Sequence, residues 1–322
     1  MKLLICGLGS IGMRHANILS EYKDIQLFAL RSDKYKDSKI DIVEKSFYSI
    51  EEMGDEKIDG VLITNPTSEH VKTAIKLSHL GVPLFIEKPL DSIMIDTEKL
   101  QHICRDAEIQ VLMGYNLLYH PAITKVKKLL QDNTIGKVVS CRAQFGSYMP
   151  DWHPDEDYKK SYTSLKSLGG GVTLTSIHEL NYITELFGDV SEIHALEINN
   201  NLLDIDAEEG VEMLMLHQNG IVSNIHLNFF QIPNRRYLEV IGSMGTIYWD
   251  FWKPFVYVKM KKVESKHILG RDAYGLLDIS YRNQMEHFIN ICKGNEESQI
   301  PLSKGIKDLI IANAVLEQIK RV

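Results

Sequence analysis

The opening segment narrows the fold more than any other stretch. An apolar, β-rich run, Leu3 to Cys6, enters "CGLGSIG", where Gly7, Gly9 and Gly12 form G-x-G-x-x-G, and a segment with helical apolar spacing follows. Between a strand and a helix, such a triplet makes three demands on backbone. The first glycine permits the tight turn, the second lets backbone approach a pyrophosphate, and the third allows close helix-to-strand packing. A helix beginning near Ser10 then points its free N–H groups, including that of Ile11, and its positive dipole end at phosphates. A glycine-rich turn without a ligand is the plainer reading of the same residues.

Further short apolar runs recur at 25–30, 61–64, 84–86 and 111–113, and between most of them apolar residues follow three-and-four spacing, as in Val71, Ala74, Ile75 and Leu77. Buried strands alternating with helices imply βαβ units and a doubly wound parallel sheet, a Rossmann domain predicted over 1–119. After the helix near 121–130 the alternation stops. Runs at 190–198, 211–217, 220–230, 236–242, 246–251 and 255–260 are joined by short turns such as "HQNGIV", so a large, mostly antiparallel sheet is expected. Helices return at about 280–292 and 303–319 and are expected to cover one face of that sheet. The second half, 120–322, is therefore predicted as an α+β domain.

Composition closes off several functions. A net charge of −7 gives no basic field for nucleic acid or an anionic membrane, and no Lys/Arg block acts locally. No segment reaches the roughly 20 apolar residues that span a bilayer. Cys6, Cys104, Cys141 and Cys292 lie far apart without metal-type spacing, which fits a reducing cytoplasm and no metal.

Candidate groups sit where predicted strands end. A dinucleotide fold usually places an acid for the adenosine ribose about 20 residues beyond the glycines. Here "FALRSD" puts Arg31 and Ser32 there, a guanidinium and a hydroxyl that suit a 2′-phosphate, so NADP(H) is expected over NAD(H); Asp33 argues the other way. "LITNPTSEH" places Asn65, Pro66 and His70 at the next strand end, either along a dinucleotide or as an ordinary capped turn. In "PLFIEKPL" the proline holds Lys88 extended at a strand end beside Glu87. A lysine there either serves the site or reaches out to solvent.

The second half offers "SYMPDWHPDEDYKKSYTSLKS" and, after it, "GGGVTLTSIHELNY". A loop of about twenty residues without periodicity is uncommon in a compact domain unless it is functional or disordered, and its aromatic residues argue against disorder. Trp152 could stack on a sugar ring, with Asp151, His153 and Asp157 bonding hydroxyls and Tyr158 nearby, or the loop is an arm packed on a neighbouring subunit. Thr175, His178, Asn181, Tyr182 and Glu185 share one side of a helix, with Leu180, Ile183 and Phe187 broadly opposite. His178 on that stripe is either a proton-transfer group or a satisfied polar residue.

Taken in order, the glycine triplet, "TNPTSEH", "EKP", "GYNLLYHP" and "GGG…H" resemble the glucose-fructose oxidoreductase and inositol dehydrogenase (Gfo/Idh/MocA) family over essentially the whole chain. The resemblance implies a nicotinamide dinucleotide and a sugar-like substrate, with homo-oligomers, dimers or tetramers, built through the C-terminal sheet. It assigns the pyrophosphate to Gly7, Gly9 and Gly12, the nicotinamide half to Asn65 and Pro66, its ribose to Glu87 and Lys88, and its neighbourhood to Asn116. It also makes Lys88 the group at the reacting carbon, which polarises oxygen while His178 exchanges the proton near neutrality. "DWHPDEDY" resembles a branch associated with bacterial surface-sugar biosynthesis. Two positions depart from the family: Leu118 where an arginine is common, and Thr175 where an aspartate usually precedes the histidine. The second departure leaves His178 to borrow a carboxylate from 151–157, or points to altered chemistry, such as a redox-assisted lyase, a sensor or a regulator.

Overall fold

The structure is a computed structural model that describes residues 1–33, 39–198 and 201–319. They form two compact units, the first from 1–115 with 281–309 and the second from 116–280 with the residues from 310 onwards.

The first unit is built on β1 (Lys2–Cys6), β2 (Gln26–Leu30), β3 (Lys45–Phe47), β4 (Gly60–Ile63), β5 (Leu84–Glu87) and β6 (Val111–Gly114), with α1 (Ser10–Ser20), α2 (His70–Leu77) and α3 (Thr97–Asp106) between them. All pairings are parallel, in the order β3-β2-β1-β4-β5-β6. The near-continuous apolar character of these strands has a direct cause: β4, β5 and β6 are buried along their whole length. The order reverses between β1 and β4, so a crevice opens beyond their carboxyl ends, where such sheets take ligands.

The second unit contains α4 (Pro121–Gln131), β7 (Val138–Tyr148), α5 (Val172–Thr175), α6 (His178–Phe187), β8 (Val190–Glu197), β9 (Gly210–His217), β10 (Val222–Asn228), β11 (Phe230–Gly242), β12 (Gly245–Asp250), β13 (Phe255–Met260) and β14 (Glu264–Ile268). The eight strands run β14-β13-β12-β11-β7-β10-β9-β8, and every pairing is antiparallel except β7 with β10. Side chains alternate across the sheet. On β9, Val211, Met213, Met215 and His217 are buried, while Leu214 and Leu216 point to an exposed face shared with Leu196 and Val222. Helices α4, α5 and α6 lie on the buried side.

The C-terminal helices are α7 (Ala273–Cys292) and α8 (Leu302–Ile319), and here the domain expectation needs correction. Residues 281–309 belong with the parallel sheet, not with the antiparallel one. Phe288 packs edge-on to Phe85 with centroids 5.7 Å apart, and the Met113 N–H donates to the Ile300 carbonyl at 2.9 Å. Apolar β5 and β6 need a cover, and these late residues supply it. Most of the cover on the antiparallel sheet comes instead from α4–α6, although Gln318 at the end of α8 donates to the Ile193 carbonyl.

Candidate functional site

The glycine turn at the end of β1 is fixed by contact. A Cβ at Gly12 would collide with the Gly7 carbonyl oxygen and crowd Thr64 Oγ1, whose hydroxyl donates to that same carbonyl at 2.6 Å. Gly7 takes φ +95° and lies against the Asn65 backbone. Gly9 differs, because its missing side chain would meet nothing within 4 Å. It caps α1 without any side-chain hydrogen bond, and no acid stands in the first turn, so the helix start has the uncapped N–H groups and positive dipole end that suit an anion. The first and third glycines are therefore packed against protein, and the space beside the second is open.

The neighbouring strand ends are tied together. His70 is buried, with Nδ1 2.8 Å from the Pro89 carbonyl and Nε2 2.8 Å from the Asn65 carbonyl, so its ring joins the two loops and faces backbone on both sides. The Asn65 amide donates to Thr73 Oγ1 at 2.8 Å. Glu87 is buried; one oxygen lies 2.7 Å from His15 Nε2 and the other accepts the Lys88 N–H at 3.0 Å. Lys88 follows at the exit of β5, half-buried, before the cis Lys88-Pro89 bond. Beyond β2, Arg31 is 8% exposed, whereas Ser32 and Asp33 are exposed.

In the second unit the expected single helix is two, α5 and α6, interrupted at Ser176 and Ile177. His178 opens α6 and is 7% exposed; Asn181 and Tyr182 are buried with it, while Thr175 is half-buried. Asn116 is buried, its amide donating to Ser280 Oγ at 2.9 Å. The glycine run before α5 serves protein contacts. Gly170 lies against the carbonyls of Tyr162 and Thr163, and a Cβ at Gly171, where φ is +105°, would collide with the Glu208 carboxylate. Glu208 accepts the Thr173 N–H at 3.1 Å, and burial pushes its carboxyl above the usual range.

The aromatic loop is ordered as a chain of short 3₁₀ turns, two of them capped by Asp157 and Ser161. Its polar handles are partly spent: Trp152 Nε1 donates to Ser147 Oγ at 2.7 Å, Tyr158 Oη donates to the Leu203 carbonyl at 3.1 Å, and Asp157 pairs with Lys160 at 3.3 Å. His153 is exposed. The ion pair that sequence reasoning missed is Glu179 with Arg236, 2.7 Å apart; Glu179 is fully buried and the guanidinium lies 4.5 Å over the Phe145 ring.

Comparison with known proteins agrees with this fold. Residues 1–115 match the oxidoreductase family with an NAD-binding Rossmann fold, and residues 123–248 match the GFO/IDH/MocA C-terminal domain. The chain belongs to the Gfo/Idh/MocA oxidoreductase family. It is 25% identical to the myo-inositol 2-dehydrogenase of Thermotoga maritima, across 99% of this chain and 96% of that one. Solved structures share this fold. Levoglucosan dehydrogenase in complex with NADH and L-sorbose superposes with a TM-score of 0.85 at 17% identity, covering 100% of this chain and 97% of that one. The WlbA dehydrogenase from Bordetella pertussis in complex with NADH and UDP-GlcNAcA gives 0.84 at 15%, covering 100% and 96%.

Against that family frame, His15 and Arg236 are what the sequence concealed. Each meets its acid far along the chain, 72 residues away for His15 and 57 for Arg236, and neither lies in a motif. Among the described residues no cluster of His, Cys, Asp and Glu could hold a metal ion, and no helix is long and apolar enough to cross a membrane.

Proposed function

We propose that this chain is an NAD(P)-dependent dehydrogenase or reductase that moves hydride between a nicotinamide and the hydroxyl-bearing or keto carbon of a sugar, sugar derivative or nucleotide sugar. The observation that carries this reading is the open, uncapped start of α1 at Gly9, in a sheet whose next strand exit but one presents Lys88. Gly7, Gly9, Ser10, Ile11 and Gly12 hold the pyrophosphate by backbone. Asn65, Pro66, Asn116 and Lys88 serve the nicotinamide half, with His70 and Glu87 bracing the loops behind them. When bound, a nicotinamide dinucleotide supplies the hydride acceptor or donor.

Lys88 stabilises charge on the reacting oxygen, and His178 takes up or returns the hydroxyl proton. Thr175 contributes a hydrogen bond and no charge. Trp152, His153, Asp157 and Tyr158 shape the sugar pocket, and the names of the relatives support a sugar-like substrate. Arg31 and Ser32 favour the 2′-phosphate of NADP(H); the exposed Asp33 favours the bare ribose of NAD(H). The exposed apolar face with Leu196, Leu214, Leu216 and Val222 supports a homo-oligomer, a dimer or tetramer. The four cysteines, all free, suit a cytoplasmic protein.

A panel of cyclitols, free sugars and nucleotide sugars, each assayed with NAD(H) and NADP(H), tests the reading. Reduced nicotinamide is expected to appear in solution with at least one polyol, and Lys88→Ala and His178→Ala are each expected to lose most turnover. Cofactor that stays bound and regains its starting redox state in every cycle would support the redox-assisted lyase reading, which rests on Thr175. Near-wild-type turnover by His178→Ala would remove that residue from the reaction.

A further inference from the structure

His15 sits on α1, completely buried, with its ring edge-on to Phe85 at 5.1 Å and to Tyr281 at 5.8 Å between centroids. Its Nε2 lies 2.7 Å from Glu87 Oε1. A carboxylate accepts, so the imidazole carries a proton on Nε2, while Nδ1 is buried with no hydrogen-bond partner among the described residues. Glu87 Oε2 accepts the backbone N–H of Lys88 at 3.0 Å. Gly114 makes this possible, since a Cβ there would stand 2.9 Å from the Glu87 carboxyl. Both oxygens of Glu87 are thus engaged inside the first unit, and the residue is only 5% exposed. An arrangement made only to bury side chains would have used two apolar residues, because a buried carboxylate is costly unless its donors hold it.

We propose that His15 is a positioning residue for Lys88, acting through Glu87. The carboxylate is a bracket with one oxygen on the helix that receives the phosphates and the other on the backbone of the lysine. His15 lies five residues beyond Ser10, about 1.4 turns into that helix. One rigid element therefore sets both the phosphate anchor and the height of Lys88 beside it. Glu87, assigned by family resemblance to the nicotinamide ribose, becomes the support of its neighbour. This inference rests on the role given to Lys88 above.

The test uses the full chain with its nicotinamide cofactor and a substrate that the wild type turns over. In His15→Leu, kcat is expected to fall about tenfold or more with cofactor Kd within about threefold of wild type, since misplacement of roughly 1 Å at a reacting centre costs up to about a hundredfold. His15→Gln returns one amide donor toward Glu87 and is expected to recover kcat to within about threefold, a rescue that simple loss of packing would not give. Should His15→Leu not fold, Glu87→Met, which removes both acceptors with little change of volume, carries the same comparison of kcat with cofactor Kd. Unchanged kcat in these variants, a rise in Kd that matches the loss of turnover, or no recovery in His15→Gln overturns the inference. Lys88→Ala is measured alongside: normal turnover there refutes the role of Lys88 itself, whereas an inactive Lys88→Ala beside an unimpaired His15→Leu refutes only the bracket.

Discussion

His120 closes the N-terminus of α4, and the physics of that position predicts how stability responds to acid. Its Nδ1 accepts the Ala122 N–H at 3.2 Å, which leaves the proton of the neutral ring on Nε2, a buried atom without a partner among the described residues. The ring is fully buried 5.3 Å from the Trp249 ring and 6.0 Å from Phe251. Burial, helped by the positive charge of Arg236, pushes the imidazole down to about 4. An unfolded histidine titrates near 6.5, so on acidification the unfolded chain takes up the proton first. The stabilisation is therefore whole above about 6.5 and is lost as pH falls toward about 4. At about pH 5 the unfolded ring is almost fully charged and the folded ring about one-tenth charged, a difference worth about 2 kcal/mol. Urea melts of wild type and His120→Asn at about pH 7.5 and about pH 5, followed by tryptophan fluorescence, measure this directly. All three tryptophans, Trp152, Trp249 and Trp252, lie in the second unit and report on it. Asparagine keeps a capping oxygen but does not titrate, so the stability gap between the two proteins should narrow by about 2 kcal/mol at the lower pH. An unchanged gap would refute the assignment of this acid sensitivity to His120.

Two further outcomes follow from contacts in each unit. Gly9→Ala should melt within a few degrees of wild type yet lose most dinucleotide affinity by calorimetry, because only a ligand would meet its methyl group; Gly12→Ala should lose about 1–3 kcal/mol or more of stability, and a Gly9→Ala protein that binds cofactor normally would contradict the proposed cradle. Arg236→Met takes the guanidinium away from the buried Glu179 carboxylate and should cost about 3–5 kcal/mol, largely restored when Glu179→Gln is added, whereas a cost near zero would show that the pair is not holding α6 to the sheet.

What the sequence made legible was whatever it encodes locally. The glycine triplet states its own contacts, and alternating apolar runs announce a parallel sheet, which the six strands of the first unit bear out. Strand β3 escaped notice because three residues, Lys45 to Phe47, carry no periodicity and exist as a strand only through pairing with β2. The domain membership of 281–309 was equally illegible, since an amphipathic helix does not state which sheet its apolar side covers. The same limit applied to the aromatic loop. Its composition announced order, but which polar atoms it spends depends on pairings that composition does not state: Trp152 with Ser147 inside the stretch, and Tyr158 with Leu203 outside it.

The position of Thr175 directed attention to a missing acid, and the structure recasts that question. The carboxylates nearest the motifs in sequence are already committed within their own units: Glu87 to His15 and the Lys88 backbone, Glu179 to Arg236, Glu208 to the Thr173 backbone at the glycine run, and Asp157 to its own turn and Lys160. A carboxylate held by donors in this way is kept from swinging toward a substrate, because leaving would strand those donors without partners. Within the acidic loop it is Asp157 that is tied in this way, while Asp151, Asp155 and Glu156 of the same loop are exposed. Proton exchange in the proposed reaction falls to the histidine, with Lys88 supplying charge at the oxygen. Restoring an acid by Thr175→Asp accordingly becomes a gain-of-function question about His178 alone, with the committed carboxylates left in place.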